Sequence, residues 1–409
     1  MDALAFSIPC LLSLDFTLIG RLFVAELLLL ALMPMLLLFK WRMLTAPMPR
    51  TLLMLGLMWL ASQVATDLIR NTPFADYSRG WAKITFTLIN FSALYMLLNN
   101  NRRRLVLFAV GITIGWYLHH VFNPFPSAQG DPWKFGLALP VTLLLVLGAQ
   151  RGFKRNSPRI VSLFLFFAAG LNLAMGFRSL AGICFVTAMF LFLQLHQSRL
   201  VTRISHGRLV LIFAIGIIGV IGFMEFYGFA ARDGMLGAQA QSKYETQASG
   251  KYGVFLSGRT EILVAMQAIA DSPIIGHGSW AKDPKYRNML YKLGDATPIQ
   301  QITMRNLGLI PTHSFITGAW VEAGLLGALF WAYVLWLIVR NLIYLHQMHE
   351  VLSPLITFVS FLMLWDVLFS PFGFDRRVVV PFFIIVVMFS WEIILANRRA
   401  TQAAARAPT

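Results

Sequence analysis

Three basic side chains are placed where they could manage negative charge during a group transfer: Arg178, Arg259 and His313. His313 follows Pro311 and Thr312 and opens a long apolar run, with Thr312 or the residue before it as the expected helix cap. A helix N-terminus disfavours imidazolium, so a histidine there suits a general base. At about 100° per residue, Thr317, Trp320, Gly324 and Gly327 fall within about 40° of His313 on one face. Those glycines would let another helix, or a lipid chain, approach below the imidazole. Arg178 lies in the short turn Gly176-Phe177-Arg178-Ser179 between two apolar runs, with Ser179 as the expected cap. A guanidinium beside free helix N–H groups makes an anion site. Arg259 precedes the amphipathic segment Ile262–Ala270, which Pro273 ends. A cation at a helix N-terminus opposes the helix dipole, which points to a bound anion.

Each residue also has a plain structural reading. His313 could be an interfacial histidine capping its own helix, above small-residue packing. Arg178 could snorkel at a helix end. Arg259 could pair with Glu261 or with a lipid phosphate. Lys282, Lys285, Arg287 and Lys292, interleaved with Tyr286 and Tyr291, form a basic aromatic stretch. It suits a phosphorylated sugar or lipid headgroups equally, with a solvated charge run as the default reading. Asp366 lies within an apolar run and Asp375 in the turn after it, where a salt bridge competes with a functional role. Arg21 and Glu26 are expected to pair with each other or with Glu322. His119 and His120 read as interfacial. Neither His277 nor any acidic pair has metal-ligand spacing, so no metal or other cofactor is expected. Cys10 and Cys184 read as buried apolar side chains.

The elements that must position these residues are membrane helices. Of the 409 residues 57% are hydrophobic and 13% charged, whereas a soluble domain carries about 25% charged residues. The expected fold is all-α, a single integral membrane domain over 1–409 with 11–12 transmembrane helices and one large extracytoplasmic loop containing short helices. Clear spans are Thr17–Phe39, Thr51–Ile69, Ile84–Asn99, Leu105–Val121, Phe135–Gln150, Ile160–Gly176, Leu180–His196, Leu209–Phe229, Phe315–Val339, Val351–Phe369 and Val378–Ala396. Residues 3–14 are a half-helix or a twelfth span. The densest short basic loops, at Lys40–Arg42, Arg102–Arg104, Arg151–Arg159 and Arg199–Arg208, belong in the cytoplasm by the positive-inside rule. The 230–312 loop then faces the other side. The net charge of +16 is therefore assigned to loops and membrane lipids, and no nucleic-acid partner is expected.

His313-Ser314 followed after nine residues by Gly324-Leu325-Leu326-Gly327 is similar to the histidine motif of bacterial O-antigen ligases. Ser257-Gly258-Arg259, with Ser272-Pro273-Ile274-Ile275-Gly276-His277-Gly278 beyond it, resembles the preceding segment of the wider ligase and polymerase superfamily. Phe177-Arg178-Ser179-Leu180-Ala181-Gly182 resembles its first arginine motif. The resemblance implies a metal-independent glycosyltransferase of the Gram-negative inner membrane with its active site facing the periplasm. Its donor would be an undecaprenyl-pyrophosphate-linked glycan and its acceptor the lipid A–core. By the same resemblance His313 activates the acceptor hydroxyl, and Arg178 and Arg259 hold the pyrophosphate. Trp320, Gly324 and Gly327 would flank the lipid, and Lys282 and Arg287 would meet the anionic acceptor. The family's C-terminal acidic position falls to Asp366 or Asp375. The alternatives are an O-antigen polymerase of the same superfamily or, from a different class, a transporter or flippase of lipid-linked glycans.

Overall fold

The computed structural model describes residues 1–155, 157–196, 228–234, 260–293, 308–345 and 350–406, with isolated positions between 222 and 245. Among these described residues, eight helices are long and apolar enough to cross a membrane. In chain order, α1 is Asp2–Cys10, β1 Asp15–Thr17, β2 Arg21–Phe23, α2 Val24–Lys40, α3 Pro47–Ile69, α4 Phe74–Leu98 and α5 Arg102–Phe122. There follow α6 Pro126–Gly130, α7 Ala138–Lys154, α8 Pro158–Ala174 and α9 Arg178–His196. The described part of the long polar segment holds α10 Glu261–Asp271 and α11 Pro284–Lys292. The chain then runs through α12 Phe315–Ala323, α13 Leu325–Leu345, α14 Ser353–Phe369 and α15 Val379–Arg406. The fold is that of a multi-pass helical membrane protein. Most of the expected span Leu209–Phe229 lies outside the described residues, and α8 and α14 are apolar helices of 17 residues each.

Start signals are local. Pro47, Pro158 and Pro354 occupy first-turn positions, where a missing N–H costs nothing. The Asn101 side chain accepts from the Arg104 amide at 3.2 Å to start α5.

The first span differs from expectation. Thr17–Phe39 is not one helix, because Asp15–Thr17 pairs antiparallel with Arg21–Phe23. Helix α2 begins only at Val24, where the Glu26 carboxylate accepts the Phe23 amide at 3.0 Å. The preceding α1 packs on α5, where Gly111 and Gly115 leave room for Pro9. A Cβ on Gly111 would lie 2.4 Å from Pro9 Cγ, and one on Gly115 2.2 Å from the Pro9 carbonyl oxygen.

Arg21 and Glu26 do not pair with each other or with Glu322. Arg21 meets Asp15 at 3.5 Å, and Glu322 pairs with Lys83. Fully buried Glu26 accepts from Arg377 Nη2 at 2.7 Å, and the same nitrogen donates to the Arg21 carbonyl at 2.6 Å. Asn90 adds a bond to the Arg377 carbonyl at 2.9 Å. One ion pair thus ties α2, α4, the hairpin and the turn before α15.

Removing one member of a buried ion pair strands the other. Glu26→Ala and Arg377→Ala should each destabilise by about 3–5 kcal/mol, and the double variant by much less than the sum. Thermal unfolding of the detergent-solubilised protein reads this; additive losses would rule out the coupling.

Candidate functional site

His313 stands one residue outside its helix. The cap is Ser314, not Thr312: its Oγ accepts the Thr317 amide at 3.2 Å. The same hydroxyl donates to the Val367 carbonyl at 2.9 Å. Buried Ser314 therefore rivets the start of α12 to the end of α14 and leaves His313 exposed beside that joint. Below it, Phe315 packs on Trp331 and Phe372 at ring separations of 4.8 and 5.1 Å.

Asp366 neighbours Val367, and its buried carboxylate accepts from Arg376 Nη1 at 3.1 Å. Asp375 pairs with Arg376 Nε at 3.3 Å. The two acids that competed for one role in the sequence hold the same guanidinium. With both carboxylates on it, the Arg376 guanidinium is taken up by protein partners rather than offered to a pyrophosphate. Its position suits it to fixing the α14 end on which Ser314 rests. The sequence signal that could have flagged Arg376 is its place in the Arg376-Arg377 pair, on a short turn next to two acids.

The expected span Phe315–Val339 is broken at Gly324, where φ is +68°. Leu325 donates its amide to the Ile274 carbonyl at 3.2 Å. The amides of His277 and Gly278 bond the Val321 and Glu322 carbonyls at 2.7 and 3.0 Å. Ser62 donates to the Ala323 carbonyl at 2.7 Å. The carbonyls that a helix end leaves without partners are thus met by a loop and by α3. The break also ends the single face expected from His313 to Gly327. A Cβ on Gly324 would lie 1.9 Å from the Ile274 carbonyl oxygen, and one on Gly327 2.5 Å from that of Ala319 and 3.0 Å from Trp59. What approaches these glycines is protein backbone and α3, not a lipid chain. Trp320 is committed as well, its indole N–H donating to the Pro273 carbonyl at 2.8 Å.

The loop that meets the break is seated on α3 and α4 by Asp67. This carboxylate is 2% exposed. It accepts from the Ser279 amide and hydroxyl, each at 2.6 Å, from Trp81 at 2.8 Å and from Gln63 at 3.3 Å. Ser279 sits directly on Gly80, where a Cβ would lie 1.9 Å from its Oγ. Arg70 donates to the Gly276 carbonyl and to Ser272. No sequence spacing marked Asp67, Gly80 or Arg70.

Arg178 is the first residue of α9, and Ser179 lies inside the helix rather than capping it. The other end of α9 is fixed by Gln194, which donates to the last carbonyl of α13, at Leu345, at 3.1 Å. Since α12 and His313 precede α13, Arg178 and His313 share one end of the bundle. Lys134 joins them there, over the Phe177 ring at 5.9 Å. Arg259 lies outside the described residues, immediately before Thr260, the N-cap of α10.

The basic stretch is a helix, α11, capped by Asp283, which accepts the Lys285 amide at 2.8 Å. Lys282 is held by Asp76 at 2.8 Å and Lys285 by Asp271 at 2.5 Å. Arg287 is half-buried, and its Nε has no partner among the described residues. Asp271 also accepts from the Tyr286 hydroxyl at 2.7 Å. The Lys285 bond, with those of Tyr286 and Gln267, lowers its carboxyl to about 2. Burial pushes the Tyr286 hydroxyl up. His277 Nε2 bonds the Ala268 carbonyl at 2.8 Å, an anchoring role. His119, expected at the interface, is buried and bonds Asp15 at 3.1 Å, pinning the hairpin. Among the described residues no three His, Cys, Asp or Glu side chains gather as a metal site.

No protein-family model and no curated protein matches the chain.

Two outcomes follow from this geometry. Gly80→Ala should unseat the 272–281 loop, seen as faster proteolysis within it while the bundle stays folded; unchanged cleavage would remove Ser279 as the anchor. Because the folded Asp271 carboxyl lies below its unfolded value, its contribution is whole at neutral pH. It is lost as pH falls from the ordinary carboxylate value of about 3.9 through about 2. Hydrogen exchange of α10 and α11 should accelerate across that window in the native chain and change little in Asp271→Asn.

Proposed function

We propose that the chain is an O-antigen ligase: a metal-independent glycosyltransferase that moves O-antigen from undecaprenyl pyrophosphate to the lipid A–core. Its place would be the Gram-negative inner membrane, with the site opening to the periplasm. The observation that carries the reading is the joint at Ser314. It presents His313 exposed at the end of the bundle that also holds Arg178 and Lys134. A proton acceptor and cationic side chains at one membrane face are what transfer from a lipid diphosphate requires.

In this reading His313 takes the proton of the acceptor sugar hydroxyl as that oxygen attacks the anomeric carbon of the donor. The bond from that carbon to the pyrophosphate oxygen breaks, and undecaprenyl pyrophosphate departs with the electron pair. Charge grows on the leaving oxygens, and Arg178 and Arg259 stabilise it electrostatically. The Asp366–Arg376–Asp375 cluster acts indirectly, by holding the end of α14 under Ser314. Trp320, Gly324 and Gly327 serve as scaffold for the α12–α13 break rather than as a lipid groove.

The test is transfer in vitro from lipid-linked glycan to purified lipid A–core. His313→Ala should lower the rate about 100- to 10,000-fold. Arg178→Ala and Arg259→Ala should each cost about 100- to 1000-fold, with lysine replacements partly active because the planar fork is lost. Ligation that survives His313→Ala at the native rate overturns the assignment. Transfer onto a second lipid-linked glycan instead of lipid A–core identifies a polymerase. Chelator should leave the rate unchanged.

A further inference from the structure

The end of the bundle opposite His313 carries a guanidinium that the proposed reaction does not use. Arg340 lies on α13, fifteen residues beyond Leu325, or about 22 Å along the helix axis. Its neighbours mark the end with the dense basic loops. It donates to Met48 Sδ at 3.4 Å, in the first turn of α3. Lys40 and Arg104 bond the Met96 and Leu97 carbonyls at the same end of α4.

Two indoles clamp the guanidinium. Its Cζ stands 3.7 Å from the Trp391 ring centre and 4.2 Å from that of Trp336. Those contacts use the face of the cation and leave its in-plane N–H groups to find acceptors. Among the described residues Nη2 meets only a thioether, a weak acceptor, and buried Nε has no partner. Among the described residues no carboxylate lies within salt-bridge distance. The next residue is a contrast. Asn341 bonds Ser360 at 3.0 Å and Ser390 at 2.7 Å within the bundle. The opening is on the outer side: Trp391 is 8% exposed and Trp336 is 49% exposed.

We propose that Arg340, Trp336 and Trp391 form a binding site for the phosphate of an anionic glycerophospholipid in the leaflet beside the basic loops. A phosphodiester offers the two in-plane oxygens that a guanidinium fork accepts best, and neither a methionine sulfur nor an acyl chain can replace them. Trp336 supplies an apolar wall for the glycerol and first acyl carbons. The headgroup is anionic rather than zwitterionic because Lys40 at the end of α2, Arg42 in the connection and Arg50 in the first turn of α3 adjoin it, none in an ion pair among the described residues. A choline or ethanolamine ammonium would face those cations, whereas a glycerol headgroup does not.

The test uses the full chain in detergent, titrated with phosphatidylglycerol or phosphatidylcholine and followed by native mass spectrometry. The native protein should retain phosphatidylglycerol in preference to phosphatidylcholine. Arg340→Gln should weaken phosphatidylglycerol retention by about 10- to 100-fold, the worth of charge-assisted hydrogen bonds. Trp336→Leu should weaken it less, and Arg340→Lys should fall between the native chain and Arg340→Gln. Equal retention of the two lipids by the native chain overturns the proposal without any variant. So does native-level phosphatidylglycerol retention by Arg340→Gln.

Discussion

A backbone carbonyl held away from water must find a donor, and the α12–α13 break multiplies that demand. Val321, Glu322 and Ala323 end a helix inside an apolar assembly, and each of their carbonyls is met from another part of the chain. His277 and Gly278 supply two amides, and Ser62 supplies a hydroxyl. The loop that makes these bonds is itself held by Asp67, Arg70 and the bare surface of Gly80. Without that seat α12 would have no reason to stop at Gly324, and His313 would begin a continuous span instead of a short helix fixed at both ends.

The acids of the chain serve mainly as fastenings. Glu26 holds Arg377, Asp67 holds Ser279, Asp76 holds Lys282, Glu322 holds Lys83 and Asp366 holds Arg376. Each joins segments separated in sequence and brought together at a helix end. With 34 lysines and arginines against 18 acids, the chain cannot neutralise its cations internally. The excess must face water, lipid phosphate or substrate. Arg340, pressed between two indoles without a carboxylate, and the exposed face around His313 are two places at opposite ends of the bundle where that excess is felt.

The lipid site rests on one contrast. A guanidinium paired with two carboxylates, as at Arg376, is architecture, because its charge is spent. A guanidinium for which the described residues offer no oxygen acceptor, as at Arg340, is still available to an anion. Exposure and side-chain type did not separate these cases, since both lie in apolar sequence near helix ends.

The sequence by itself determined the class of fold and most helix limits, because apolar length, first-turn prolines and capping side chains act within a few residues. It placed α3, α5, α9, α14 and the amphipathic α10 close to where they lie, and it put Arg178 and His313 near helix starts. It missed the hairpin before α2, the stop at Gly324 and the use of Ser314 as the cap. The tertiary structure alone decided those, along with the pairing of Glu26 with Arg377, the capture of both Asp366 and Asp375 by Arg376, and the seating of Ser279 on Gly80. The reason is range. Periodicity and caps are local, whereas a carboxylate finds its cation, and a broken helix its donors, across tens to hundreds of residues. Only packing brings those partners within hydrogen-bond distance.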